Sequence, residues 1–200
     1  MGTRNLTMVI SNGETKVAQY GQWDGYPSGN GLIVLEFLQS NLSNLDDFKK
    51  SLSRVFFTNG NKEKEIKNFC ESIGAKDGWM TGDQSKLYQE KYPYLTRDNG
   101  ANILQMVYDA MEEEVWITDS TDFAGDSLFC EWAYLIDLDK NIFEVYEGFN
   151  KEPLTIEDRF FHLTDKESEY HPIKLVKSYD LNNLPLEDEF LNDFKQEQEN

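Results

Sequence analysis

The chain has 200 residues, 39% hydrophobic, 14% aromatic and 28% charged, with 19 Lys and Arg against 37 Asp and Glu for a formal charge of −18. That length and apolar content suffice for one packed domain and leave little for a second core, while the shortage of clustered cations disfavours direct nucleic-acid binding, which needs them to neutralise phosphate. No apolar run approaches the roughly 18 residues of a membrane span, and "MGTRNLTMVI" lacks the sections of a signal peptide, so a cytoplasmic protein with no membrane attachment is expected.

In chain order, "NLTMVIS" (Asn5 to Ser11) and "TKVAQYGQW" (Thr15 to Trp23) flank the turn signal "NGE" and predict an opening β-hairpin. Apolar residues three and four apart then predict helices over Gly31–Leu42, Leu45–Phe57, Lys62–Gly74 and Asn99–Met111, with a shorter one over Ser85–Tyr92 stopped by Pro93. Ser43 or Asn44 is placed to cap the second helix, and Gly74 to end the third. After Met111 the period changes. "EVWITD" (Glu114 to Asp119), two strands around "DLDKN" within Phe129–Phe149, and "HPIKLVKSYD" (His171 to Asp180) read as strands. Strands at both ends and helices between them make an α+β fold, an antiparallel sheet covered by helices. One domain is expected over 1–184, followed by an acidic tail over 185–200 with a short docked helix.

The most unusual stretch is "QYGQWDGYPSGNG" (Gln19 to Gly31), which packs four glycines, three aromatic rings and a proline ahead of the first helix. Its glycines permit positive φ or close approach, Pro27 stiffens the turn, and Ser28 or Asn30 is placed to cap the helix. One reading is a binding loop. Free N–H groups at the helix start would meet an anion, Trp23 and Tyr26 would stack on a ligand, and Gln22 and Asp24 would add polar contacts. The other reading is a tight strand-to-helix corner, with the rings in the core and Asp24 bonded to the turn. The spacing fits neither a Walker loop nor a dinucleotide fingerprint.

Three further residues are candidates for the same site. Arg97 in "TRDNGAN" could clamp an anion, and Glu131 in the apolar "FCEWAY", if it faces inward, would need a partner such as Arg4 or Arg97. His162 and His171 are too few and too far apart for a metal pair, and Cys70 and Cys130 suit neither a disulfide framework nor a zinc site. No cofactor or metal is expected.

"MGTRNLT", "VAQYGQWDGYPSGNG", "RDNGANILQ" and "LFCEWAYLIDLDKNIFEVYEGFN" together resemble a group of uncharacterised bacterial and phage proteins marked by the string GTRNLT…QYGQWDGYPSGxG. The resemblance spans about three quarters of the chain. It implies a microbial or phage origin and little else.

The charge is uneven, since residues 1–100 hold 12 basic against 12 acidic side chains and residues 101–200 hold 7 against 25. The acidic half serves solubility or steers a basic partner. The expectation is therefore an accessory binding protein that holds a small anionic ligand or a protein segment and engages a basic partner; inhibition of a host nuclease or defence protein would fit. The alternative is a hydrolase of N-terminal-nucleophile type, or a degenerate relative, because the chain opens on a hairpin; Met1 removal would leave Gly2, and only a further cleavage would expose Thr3.

Overall fold

The opening hairpin pairs β1 (Asn5–Ser11) with β2 (Glu14–Gly21) across Asn12 and Gly13, both at positive φ, the conformation a two-residue hairpin turn demands. In the computed structural model, which describes residues 2–75, 79–165 and 167–195, the turn is clasped from outside. Asp139 accepts from the N–H groups of Asn12 at 2.9 Å and Gly13 at 2.7 Å, and those bonds hold its carboxyl below the usual range.

The helices follow. α1 (Leu32–Asn41) buries Val34, Leu35, Phe37 and Leu38, the stripe its spacing predicts. α2 (Leu45–Leu52) stops short of the predicted Phe57, because Val55–Phe57 instead forms strand β3, parallel to β4 (Val115–Ile117). Three apolar residues in a row suit either state, and only the distant partner decides. Asn44 precedes α2 without a side-chain cap, correcting that expectation, whereas Asp46 and Asp47 do occupy its first turn. α3 (Gly60–Ser72) is capped by the Asn59 side chain and ends at Gly74, whose φ of +81° a glycine readily adopts. α4 (Gly82–Lys91) is closed by a Thr81–Gln84 capping box, and α5 (Ile103–Ala110) buries Ile103, Leu104 and Val107.

β5 (Trp132–Asp137), β6 (Ile142–Glu147) and β7 (Lys174–Asp180) complete a five-stranded sheet in the order β2-β1-β5-β6-β7. The neighbouring pairs are antiparallel except β1 and β5, which run parallel with Asn5 opposite Trp132. That corrects the expected all-antiparallel sheet. A parallel join needs a long crossover, and the helical middle of the chain supplies it. The tail carries α6 (Glu187–Asp193), anchored by the fully buried Phe190. Its first turn holds Glu187, Asp188 and Glu189, so this acidic run complements the helix dipole as well as adding surface charge.

Both faces of the sheet are buried, which is why its strands are apolar on both alternations. Val9, Val17, Trp132, Tyr134, Ile136, Phe143 and Val145 pack toward α1, α2, α5 and α6. Leu6, Met8, Ala18, Ala133, Leu135 and Tyr146 face the other way, against Ala124, Cys130, Phe160 and Ile173 from irregular chain. The expectation of a sheet covered by helices therefore describes the first face, while connections 118–131 and 148–173 cover the second. Cys130 is buried and Cys70 partly exposed; burial pushes both thiols up, and both are free. No described helix is long and apolar enough to cross a membrane.

Candidate functional site

β1 and β5 begin at the end of the sheet where β2 and β6 finish, and the glycine-aromatic loop leaves β2 at that end. Its backbone is held at many points. Thr3 O accepts from Gly25 N at 3.0 Å, Gly25 O accepts from the buried Tyr134 hydroxyl at 2.7 Å, and Trp23 O accepts from Asn5 Nδ2 at 3.1 Å. Pro27–Gly31 then form a wide helical turn that runs into α1.

Asn30 is the hub of the loop. Only 4% exposed, it donates from Nδ2 to Trp23 O at 2.9 Å and Asp24 O at 2.8 Å, while its Oδ1 accepts from Ala101 N at 2.6 Å. Gly100 makes the approach possible. Its φ is +49°, and a Cβ there would lie 2.4 Å from Asn30 Oδ1. The "SGNG" and "RDNGAN" turns, far apart in sequence, thus lock into each other.

The expected anion site at the helix start does not form, because Gly29 N and Gly31 N donate to Tyr26 O and Asn30 N donates to Asp24 O. Neither Ser28 nor Asn30 caps α1. Asp24 is exposed at φ +52° and its carboxylate bonds no described residue, so it does not hold the turn by side-chain bonds. Trp23 is 50% and Tyr26 48% exposed, so neither ring belongs wholly to the core. The Trp23 indole donates to Asp98 Oδ1 at 3.0 Å, a partner in the same "TRDNGAN" stretch that contains Arg97.

Arg4, Gln22, Arg97 and Glu131 gather near the ends of β1, β2 and β5. Arg4 N donates to Glu131 Oε1 at 3.1 Å, so Glu131 does find Arg4, through its backbone. The Arg4 guanidinium instead lies 4.5 Å from the centre of the Phe129 ring. Gln22 N donates to Arg97 O at 3.1 Å, and Gln22 Oε1 accepts from the Tyr20 hydroxyl at 2.7 Å. Burial pushes the Tyr20 pKa up and the positive charges of Arg4 and Arg97 pull against it, which places both guanidiniums within electrostatic reach of one phenol. Tyr26 and Ser28 lie elsewhere. They border a surface cavity of about 500 Å³ on the helical side of the sheet, closed by Pro27, Trp132, Leu191, Phe194 and Lys195.

Sequence reasoning missed one charged cluster. Arg159, from connection 148–173, donates from Nη2 to Asp137 Oδ2 at 2.9 Å and from Nε to Glu144 Oε2 at 3.0 Å and the Tyr146 hydroxyl at 3.2 Å. Asp137 and Glu144 stand on the buried second face at 2% and 7% exposure. Burial works against the Arg159 charge, yet Glu144 and Tyr146 more than offset it and its pKa rises. Their positions at the inward alternation of β5 and β6 were the available signal. Of the two histidines, His162 is exposed, and His171 is partly buried with an unpartnered Nδ1. No group of metal-ligating side chains occurs among the described residues.

Comparison with known proteins returns no match to a family model, to a curated protein or to a solved structure. The functional reading therefore rests on the geometry of this end of the sheet.

Proposed function

We propose that the chain is a cytoplasmic accessory binding protein of a bacterium or phage, which uses the glycine-aromatic end of its sheet to hold a small anionic ligand or a protein segment. The observation that carries this reading is the contrast at the loop. Trp23 and Tyr26 are half exposed, while the backbone bearing them is pinned to β1, β5 and the start of α5. Rings held out on an ordered backbone lose little entropy on binding and make effective anchors. Arg4 and Arg97 supply positive charge near the Tyr20 phenol at the same end of the sheet, and the acidic second half would steer a basic partner, for which a host nuclease or defence protein fits. The test is capture from the native host with wild type and a Trp23→Ala/Tyr26→Ala variant. The double variant should recover the ligand or partner at least about tenfold less well while folding normally, since each ring is a candidate anchor of 1–2 kcal/mol. Equal recovery would overturn the reading.

A second reading, a hydrolase of N-terminal-nucleophile type or a degenerate relative with the corresponding layering, is favoured by the position of Thr3. Thr3 lies two residues ahead of the interior strand β1, and its carbonyl accepts from Gly25 N in the loop. Its amine would act only in a chain shortened to begin there. Intact mass of the protein from its host decides: a chain starting at Thr3 supports the enzyme, and one starting at Gly2 removes it.

A further inference from the structure

The cavity beside the loop has a lining whose composition is at odds with the rest of the molecule. The chain carries 37 acidic side chains against 19 basic ones, yet none of the described residues lining this cavity is acidic. Its lining is largely apolar, with Tyr26, Pro27, Trp132, Leu191 and Phe194, and the Trp132 and Phe194 rings meet edge to face with centres 5.8 Å apart. The polar groups are donors. Lys195 contributes an ammonium whose described bond goes to the amide oxygen of Asn192, and Ser28 contributes a hydroxyl that bonds no described residue. Trp132 is 9% exposed and forms part of the cavity wall.

A volume of about 500 Å³ lies within the range of small-molecule sites. We infer that this cavity binds a planar aromatic anion, a ring carrying a carboxylate or phosphate, with the ring between Tyr26 and Trp132 and the charged group toward Lys195 and Ser28. The preference follows from the lining. Aromatic faces favour a flat ring, an ammonium in a lining that holds no described carboxylate favours an anion, and the absence of acceptor side chains other than hydroxyls among the described lining residues disfavours a cation. This inference deepens the binding reading, because Tyr26, Pro27 and Ser28 belong to the proposed loop, but Trp132, Phe194 and Lys195 lie outside it.

The test follows indole N–H resonances by NMR in the full chain, which has 4 tryptophans, with the Trp132 signal assigned through Trp132→Phe. Indole-3-carboxylate and phenyl phosphate are the probes; indole and phenol are their neutral counterparts, and inorganic phosphate is the ring-free control. The anionic ring compounds should shift the Trp132 signal saturably and bind at least about tenfold more tightly than the neutral ones, the effect of one well-placed charge-assisted bond. Lys195→Gln, at an exposed position near the chain end, should erase that difference without altering the rest of the spectrum. Equal binding of neutral and anionic rings, equal binding of phosphate alone, or shifts only at the other tryptophans would each overturn the inference. Partner capture that depends on Trp23 while Trp132 stays silent would sink this inference and leave the binding reading standing; a responsive Trp132 with capture indifferent to Trp23 and Tyr26 would do the reverse.

Discussion

Asn30→Ala should destabilise the protein by about 2–4 kcal/mol, measured as a lowered midpoint in urea unfolding, although the deleted atoms form part of a loop. The size follows from what remains after the amide is gone. Ala101 N–H, buried, loses its acceptor outright. Trp23 O retains Asn5 Nδ2, and Asp24 O retains Asn30 N, so those carbonyls are weakened rather than orphaned. Added to this is the space left between two turns that touch through this side chain. Asn30→Asp should fare little better, because a carboxylate can still accept from Ala101 but would face two carbonyl oxygens. Asp24→Asn provides the control: its side chain bonds no described residue and Asn tolerates φ of +52°, so stability should stay within about 0.5 kcal/mol. A loss below about 1 kcal/mol in Asn30→Ala would show that the loop is held by its glycines and its other hydrogen bonds.

Arg159→Met should cost more, about 3–5 kcal/mol, because it leaves two carboxylates buried without their counter-charge. Asp137 still accepts from Asp139 N and Lys140 N through Oδ1, but Glu144 keeps only the Tyr146 hydroxyl among its described partners. The pair stands between the sheet and connection 148–173, so that connection should become the first site of proteolysis. Arg159→Lys should recover only part of the loss, since an ammonium cannot reproduce a fork that reaches Asp137, Glu144 and Tyr146 at once. Replacing the trio together, by Asp137→Asn, Glu144→Gln and Arg159→Met, should restore much of the stability, because no uncompensated charge remains. A single Arg159→Met variant as stable as wild type would mean that water reaches the carboxylates.

The elements themselves were largely legible. The short apolar runs "WAYLID" and "IFEVYE" on either side of a turn signal, the "NGE" turn and the apolar stripes of α1 and α5 report local conformation directly, because run length, turn residues and helix period act whatever the partner is. What periodicity cannot report is which strand lies alongside. With both sheet faces apolar, nothing local distinguishes a parallel β1–β5 join from an antiparallel one, and Val55–Phe57 became a strand only because Val115–Ile117 came to meet it.

The same division holds at the candidate site. The sequence determined that a stiff, glycine-rich loop with aromatic rings would precede the first helix, since those residue types restrict the backbone by their own sterics. Tertiary structure decided what the loop's polar groups do. Asn30 finds Ala101 at a separation of 71 residues, and Arg4 meets Glu131 at 127. The helix-start N–H groups expected for an anion are spent locally on Tyr26 O and Asp24 O, while the packing of the whole chain places Tyr26 and Ser28 beside its last helix, apart from Gln22, Arg97 and Glu131. A polar side chain carries its donors and acceptors in its own formula, but the group that satisfies them is chosen by packing, and packing is set by the whole chain.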